Sequence, residues 1–291
     1  ESKQRIGCFI PQNLARAFAT LGTSAPQLFD AIACESEQRI GIFNPQELAN
    51  TAWAFATLGT PASQLFNAIA ARSEQRIGSF NPHGLANTAW AFATLGTPAP
   101  QLFDAIVRES EQRIGSFNAQ NLANTAWAFA AVDVARRDAL VKAVNACAVE
   151  IGGTAFSSKD RMQLHQFFLS VELDLFPPAE LLAPANMWLA CLGALAGESP
   201  ASSSKLHLDV SAELARMGIA HKNELSVAQL GYRAVRTATA DRAGIAIEVD
   251  GPTHYLDERR LRPASEMIQR HLALAGWAVL AVPYWEWDAL K

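Results

Sequence analysis

Asparagine and tryptophan recur together in this sequence, three residues apart and at a fixed interval. Asn50 and Trp53 are followed by Asn87 and Trp90 and then by Asn124 and Trp127, each pair 37 residues after the one before. An amide carries a donor and an acceptor that match a base edge, and an indole offers a face on which a base stacks. Residues three apart on a helix are neighbours on one face. Gln46 and Thr57 extend the first stripe, and His83 and Thr94 the second. A ladder of this kind fits a helical protein that reads one nucleotide per repeat. The same side chains also suit a plainer use, packing one helix against the next, and the sequence leaves both uses open.

The interval belongs to a larger repeat. The string FATLG begins at Phe18, Phe55 and Phe92, and FAAVD begins at Phe129. The unit is clearest from Phe43 to Ile77; the first copy lacks three residues between Ala15 and Phe18, about one helical turn, and with them its Trp. Asn44-Pro45 is a cap followed by a proline in the first turn, where its missing N–H costs nothing. Leu48, Ala52, Phe55 and Leu58 make one apolar face of a first helix. Gly59 stops it, Thr60-Pro61 starts a second helix with Leu65, Phe66 and Ile69 as its buried stripe, and Gly78 ends that one. A single hairpin cannot bury its own face, whereas stacked neighbours can. The expected architecture over residues 1–198 is therefore an α-solenoid of about five helical hairpins. The fifth is degenerate: Phe156 to Val171 puts Ser157-Ser158 at the cap and Gln163 and Gln166 in the places of Asn and Trp. The small-residue run from Gly197 to Ser204 marks the expected boundary to a second domain over 203–291.

Composition bounds the function. Half of the 291 residues are hydrophobic, and Lys+Arg 24 against Asp+Glu 28 gives a net charge of -4, which excludes a histone-like coat but not a local basic surface. Cys8, Cys34, Cys147 and Cys191 stand far apart with no CxxC pair, so neither a disulfide framework nor a zinc ribbon is expected, and a reducing compartment fits. No apolar run reaches the roughly 18 residues of a membrane span. Nothing calls for a cofactor or a metal. The opening ESKQRIG recurs as ESEQRIG, so the chain reads as beginning inside a longer protein. Arg39, Arg76 and Arg113 recur two residues after a Glu, which leaves no basic stripe on the first helices.

Beyond Ser204 the periodicity changes. Leu206 to Met217 reads as an amphipathic helix, Glu224 to Val227 as a short strand, and Ile245 to Val249 as a strand stopped by Asp250-Gly251-Pro252. Pro263 to Ala275 reads as a helix ending at Gly276, and Trp277 to Val282 as a buried strand that runs into Pro283-Tyr-Trp-Glu-Trp287, a small α/β unit. Here IAIEVDGPTHY, RHLALAGWAVLAVPYWEWDAL and the upstream SSKLHLDVSAELARMGIAHKNE resemble a RAP domain over roughly 203–291. The 37-residue hairpins resemble the octotricopeptide and heptatricopeptide class of helical repeats. The resemblance implies an organellar RNA-binding factor, mitochondrial or alternatively plastid, that acts in rRNA or mRNA processing, stability or ribosome assembly, as a component of an organellar ribosome or beside one. RNA and other proteins of a ribonucleoprotein are the implied partners.

RAP domains are in turn similar to very-short-patch-repair endonucleases, which implies a restriction-endonuclease-like fold and raises a nuclease hypothesis. Glu248 and Asp250 alternate on one strand and share a face, and His254 follows the turn as a candidate acid or base. Metal-dependent nucleases also need a further carboxylate and a lysine. The stretch where the family places that Asp reads Val235-Arg236, the Lys position is Asp250, and Asp241 sits in an expected turn. The three residues are therefore relic candidates and no catalytic group is expected; a metal-dependent RNA endonuclease using Glu248 and Asp250 is the least favoured reading. From Ser204 onward Lys+Arg and Asp+Glu number 11 each, so the basic group Arg259, Arg260, Arg262, Arg270 and His271 is local, and it is the candidate grip on RNA backbone. Trp285 is a candidate stacking residue, and Trp277 an expected core residue. A protein-binding scaffold in a large assembly is the competing reading, because identical units cannot read a varied base sequence.

Overall fold

Capping asparagines and N-terminal prolines divide the first half of the chain into short helices. The computed structural model describes residues 11–22, 25–132, 138–175, 182–197, 204–226, 230–237, 244–257 and 259–290. Five first helices, α1 (Pro11–Leu21), α3 (Pro45–Leu58), α5 (Pro82–Thr94), α7 (Ala119–Ala131) and α9 (Ser158–Leu175), alternate with α2 (Pro26–Arg39), α4 (Ser63–Gln75), α6 (Pro100–Arg113), α8 (Asp138–Ile151) and α10 (Ala185–Gly197). The side chains of Asn44, Asn81 and Asn118 each accept the N–H of the third helical residue. Glu47 returns a bond to the Asn44 N–H, completing a capping box. Such a cap stabilises a helix by about 1 kcal/mol. Ser157 and Asp160 bond reciprocally at the start of α9, where the sequence placed the fifth cap. Gly59 ends α3 with φ 64°, a left-handed conformation that a side chain would strain.

The first helices pack against one another in chain order, and α2, α4, α6 and α8 do the same, giving two layers with the core between them. Leu48, Phe55, Leu65, Phe66 and Ile69 are fully buried as the periodicity requires, and so are their counterparts Leu85, Phe92 and Leu102. Each of the first three units is joined to the next by an aromatic contact between its second helix and the following first helix. Phe29 meets Phe55 and Phe66 meets Phe92, both with ring centroids 4.9 Å apart, and Phe103 meets Phe129 at 6.4 Å. The recurring arginines have a structural task. Arg76 donates to the Phe43 carbonyl at 2.8 Å and Arg113 to that of Phe80 at 2.9 Å, so each reaches back to the turn before its own hairpin.

The C-terminal part contains α11 (Lys205–Arg216), β1 (His221–Ser226), β2 (Arg233–Thr237), β3 (Ile245–Asp250), α12 (Pro263–Leu274), β4 (Ala278–Pro283) and α13 (Tyr284–Ala289). The strands form one sheet in chain order, antiparallel at β1–β2 and β2–β3 and parallel at β3–β4, with α12 as the crossover. Among the described residues the chain is mostly helical, with this small sheet near its C-terminal end. Three elements differ from the sequence reading. Strand β2 occupies the stretch around Val235-Arg236, β4 is not the buried strand expected, with Ala278, Leu280 and Ala281 exposed, and Tyr284-Trp-Glu-Trp287 turns into a helix after Pro283 rather than extending β4. Residues 198–203, the expected boundary, and Asp241 lie outside the described residues.

The sheet-bearing part is packed onto the helices. Helix α12 touches α5, α7 and α9. Met267 joins the core of the repeats with Leu256 and Ala264 at its edge, while Leu169 of α9 joins the second core with Leu230, Tyr232, Ala246 and Leu272.

Candidate nucleic-acid interface

The outward face of the first helices carries a groove of about 310 Å³. Asn50, Asn87 and Asn124 line it with Trp53 and Trp90, so five of the six ladder residues reach one cavity. Asn50 and Trp53 are half-buried, and among the described residues Asn50 has no hydrogen-bond partner. The Asn87 amide lies 3.0 Å from the His83 ring nitrogen Nε2, one turn earlier on the same helix. The third rung is tighter: Gln163 of α9 donates to Asn124 Oδ1 at 3.1 Å, and Trp127 is 7% exposed, its ring 6.5 Å from that of Trp90. Trp127 is thus a packing residue, because α9 lies against its helix; Asn87 is 7% exposed as well, so Asn50, Trp53 and Trp90 are the ladder residues that stay half-buried at the groove.

Two cations at this groove were missed in the sequence. Arg16 lines it from α1, where the three-residue deletion puts an arginine in the place of the first tryptophan. Lys159 lines it from the first turn of α9, its ammonium 5.9 Å from the centre of the Trp90 ring, within cation–π range. Aligning the shortened first unit on its neighbours is the signal that identifies Arg16. Nothing periodic marks Lys159.

The basic group of the C-terminal part divides. Arg259 and Arg260 are exposed, with Arg260 3.4 Å from the Asp257 carboxylate. The other three serve the packing of this part on the helices. Arg262 donates through Nε to the Thr253 carbonyl at 2.8 Å, and its guanidinium stands over Gly59, where a Cβ would lie 2.7 Å from it. Arg270 donates to the Ala130 carbonyl at 2.9 Å, a cation at the C-terminal end of α7 where the helix dipole favours one. His271 is fully buried; its Nε2 lies 2.8 Å from Ser170 Oγ and its Nδ1 2.8 Å from the Tyr232 hydroxyl. Burial, followed by the Arg270 charge, pushes this imidazole down to about 3. The expectation that His271 grips RNA is therefore corrected: it is a neutral core residue. Arg270 and Arg262 are engaged in the same seam, which leaves Arg259 and Arg260 as the outward cations of the group.

Glu248 and Asp250 do share a strand, opposite Ala281 and Pro283 of β4. Asp250 is 1% exposed and its two oxygens are in use: Oδ1 lies 3.1 Å from His254 Nδ1, and Oδ2 accepts from Gln269 at 3.1 Å. Tyr255 bonds it as well; burial first, then the Asp250 charge, push this phenol up to about 12, so it stays a donor. The bond to Asp250 raises the His254 pKa against the opposing effect of burial, and His254 Nδ1 also lies 3.2 Å from Ser265 Oγ. Asp250 thus ties the β3 end, the following turn and α12 together. Among the described residues no group of three or more His, Cys, Asp and Glu is placed to hold a metal ion. Trp285 is half-buried, its ring edge-on to Tyr255 at 4.4 Å and to Tyr284 at 5.2 Å, so it braces the same turn.

Comparison with known families matches two separate segments of the chain. Residues 247–291, from β3 through α13, match the RAP domain, and residues 23–145, from α2 into α8, match the Tbc2 translation factor, N-terminal domain. No curated protein matches the chain. Among the described residues no helix is long and apolar enough to cross a membrane. A RAP domain points to RNA binding, and the EVDGP-T-H and PYWEW strings that first raised the resemblance lie within the matched segment. The chain is a RAP-domain protein whose RAP domain follows a helical-repeat region.

Proposed function

We propose that the protein is a non-catalytic, organellar RNA-binding factor that holds single-stranded RNA along the first helices of an α-solenoid, with the RAP domain as a second contact. Convergence of Asn50, Asn87 and Asn124 with Trp53 and Trp90 on one groove carries this reading. Single-strand binders combine stacking faces with cations that follow the backbone. Here Trp53 and Trp90 supply the faces, Arg16 and Lys159 the cations within the groove, and Arg259 and Arg260 further cations on the RAP domain. The mitochondrion is the compartment proposed, the plastid the alternative, and rRNA or mRNA processing, stability, translation or ribosome assembly the process. The translation-factor domain matched by the repeats is in keeping with it.

The RAP domain acts here without cutting. Both Asp250 oxygens are bonded within the protein, and β2 has Val235 opposite Ile247 and Arg236 opposite Ala246 in place of a further carboxylate. A restriction-endonuclease-like ancestry fits the β3–α12–β4 crossover with a carboxylate pair on β3, reused to hold a turn. The scaffold reading draws on a specific observation as well, since near-identical units offer a partner protein a regular surface. Fluorescence anisotropy of the full chain with single-stranded RNA, repeated over a salt series, separates the two. RNA binding that weakens steeply as salt rises is expected, because each neutralised phosphate releases counterion. Absence of binding at low salt, with the protein recovered from its organelle in a large assembly, would establish the scaffold. The same mixtures with Mg²⁺ should leave the RNA intact; cleavage lost in Glu248→Ala would overturn the non-catalytic reading.

A further inference from the structure

The three rungs are chemically identical. Leu48 to Ala56, Leu85 to Ala93 and Leu122 to Ala130 all spell LANTAWAFA. In each copy the Leu and the Phe are fully buried, so the three segments sit in their helices in the same rotation, with Asn and Trp turned to the same side. A ligand with a varied base sequence would meet the same edge at each rung and match it only by accident. A ligand that repeats one base would match every rung.

The amide indicates which base. Adenine places an amino donor beside a ring acceptor, the pattern that an asparagine amide meets with two hydrogen bonds. Guanine offers two adjacent acceptors on the same edge, which calls for a double donor such as arginine, and the rung position is Asn in all three units. Trp53 and Trp90 stand one turn along from Asn50 and Asn87, which provides a stacking face beside each pairing edge. The Asn87 Nδ2 lies 3.0 Å from His83 Nε2 and carries a second N–H, so that contact leaves one donor and the Oδ1 acceptor of the amide for a base. Arg16 and Lys159 supply charge for the phosphates beside the run.

We propose that the groove recognises a run of consecutive adenines in single-stranded RNA, one base to a rung. The proposal rests on the RNA reading above and adds the base to it. The test uses the full chain and four labelled oligonucleotides of equal length: oligo(A), oligo(U), oligo(C) and a mixed sequence without adjacent adenines. Oligo(A) should bind at least about tenfold more tightly than the others, the discrimination of one bidentate amide–adenine pair. Asn50→Leu with Asn87→Leu should bring oligo(A) down to the affinity of oligo(U), and a retained preference for oligo(A) overturns the adenine proposal. Equal binding of all four, or preference for a pyrimidine run, overturns the adenine proposal while the RNA reading stands. Binding of none of the four overturns the RNA reading itself.

Discussion

Replacing Trp53 and Trp90 together by leucine lowers the affinity for single-stranded RNA on the order of 100-fold, at about 1–3 kcal/mol for each lost stacking face and about 1.4 kcal/mol per tenfold. Leucine is the informative replacement. Both indoles are partly buried against the repeat core, and an aliphatic side chain keeps that cover while removing the aromatic face. Alanine would open space beneath the groove and mix a folding defect into the binding loss. Trp127 is left alone in this variant because it is 7% exposed and belongs to the packing of α7 on α9. Lys159, whose ammonium sits 5.9 Å from the Trp90 ring, loses a cation–π contact in the variant, worth about 0.5–1 kcal/mol where exposed. The melting temperature is the control, and a shift of no more than about 2–4 °C, the equivalent of 1 kcal/mol in a domain of some 150–250 residues, leaves the binding comparison valid. Full RNA affinity in a folded double variant would mean that the groove is not where RNA lies.

The repeats announced themselves because each unit repeats the same local problem. An apolar stripe recurs every 37 residues, with a first-turn proline and a terminating glycine in the first three units, so Asn44, Leu48, Phe55, Gly59 and Phe66 could be placed without coordinates. The ladder was legible for the same reason: a helix that buries Leu48, Ala52 and Phe55 must turn Asn50 and Trp53 elsewhere. What the sequence concealed is the seam between the repeats and the RAP domain. Arg270 reaches a carbonyl 140 residues earlier, and His271 a hydroxyl 101 residues earlier. A contact made once between distant segments leaves no period to detect. Arg262, Arg270 and His271 therefore looked like a solvated basic group with Arg259 and Arg260. One signal was present and passed over: counting from Pro263, Met267 and His271 fall at i+4 and i+8, which puts the histidine on the buried stripe of α12, and all three are buried.

That seam makes stability depend on pH. Two imidazoles lie in it without exposure: His271 between Ser170 and Tyr232, and His165 of α9, whose Nε2 lies 3.0 Å from the Leu230 carbonyl. Tyr232 donating to Nδ1, Nε2–H donating to Ser170, and Ser170 donating to the Gln166 carbonyl at 3.1 Å forms a chain in which the neutral ring uses both nitrogens. A second ring proton would break that chain and set a charge beside Arg270. Desolvation by burial lowers the pKa of both imidazoles, that of His271 to about 3. The unfolded chain takes up these protons near the ordinary imidazole value of about 6.5 while the native state refuses them, so the unfolded state binds more protons below that value. Stability therefore falls as pH falls from about 6.5 toward 3, by up to about 1.4 kcal/mol per pH unit for His271, and His165 acts in the same direction. His254 acts in the opposite sense. Its pKa is raised by Asp250, so its contribution is complete below the unfolded value and is lost as pH rises through its folded value. Denaturant unfolding of the full chain from pH 7 to pH 4.5 reads the sum, and His271→Gln isolates one part, since glutamine can meet one hydroxyl but cannot titrate. The variant should be less stable than the parent at pH 7 and lose less stability on acidification. Parallel curves for the two proteins would show that His271 is not held neutral, and that the RAP domain is fixed to the repeats by its apolar contacts and Arg270 rather than by a neutral imidazole.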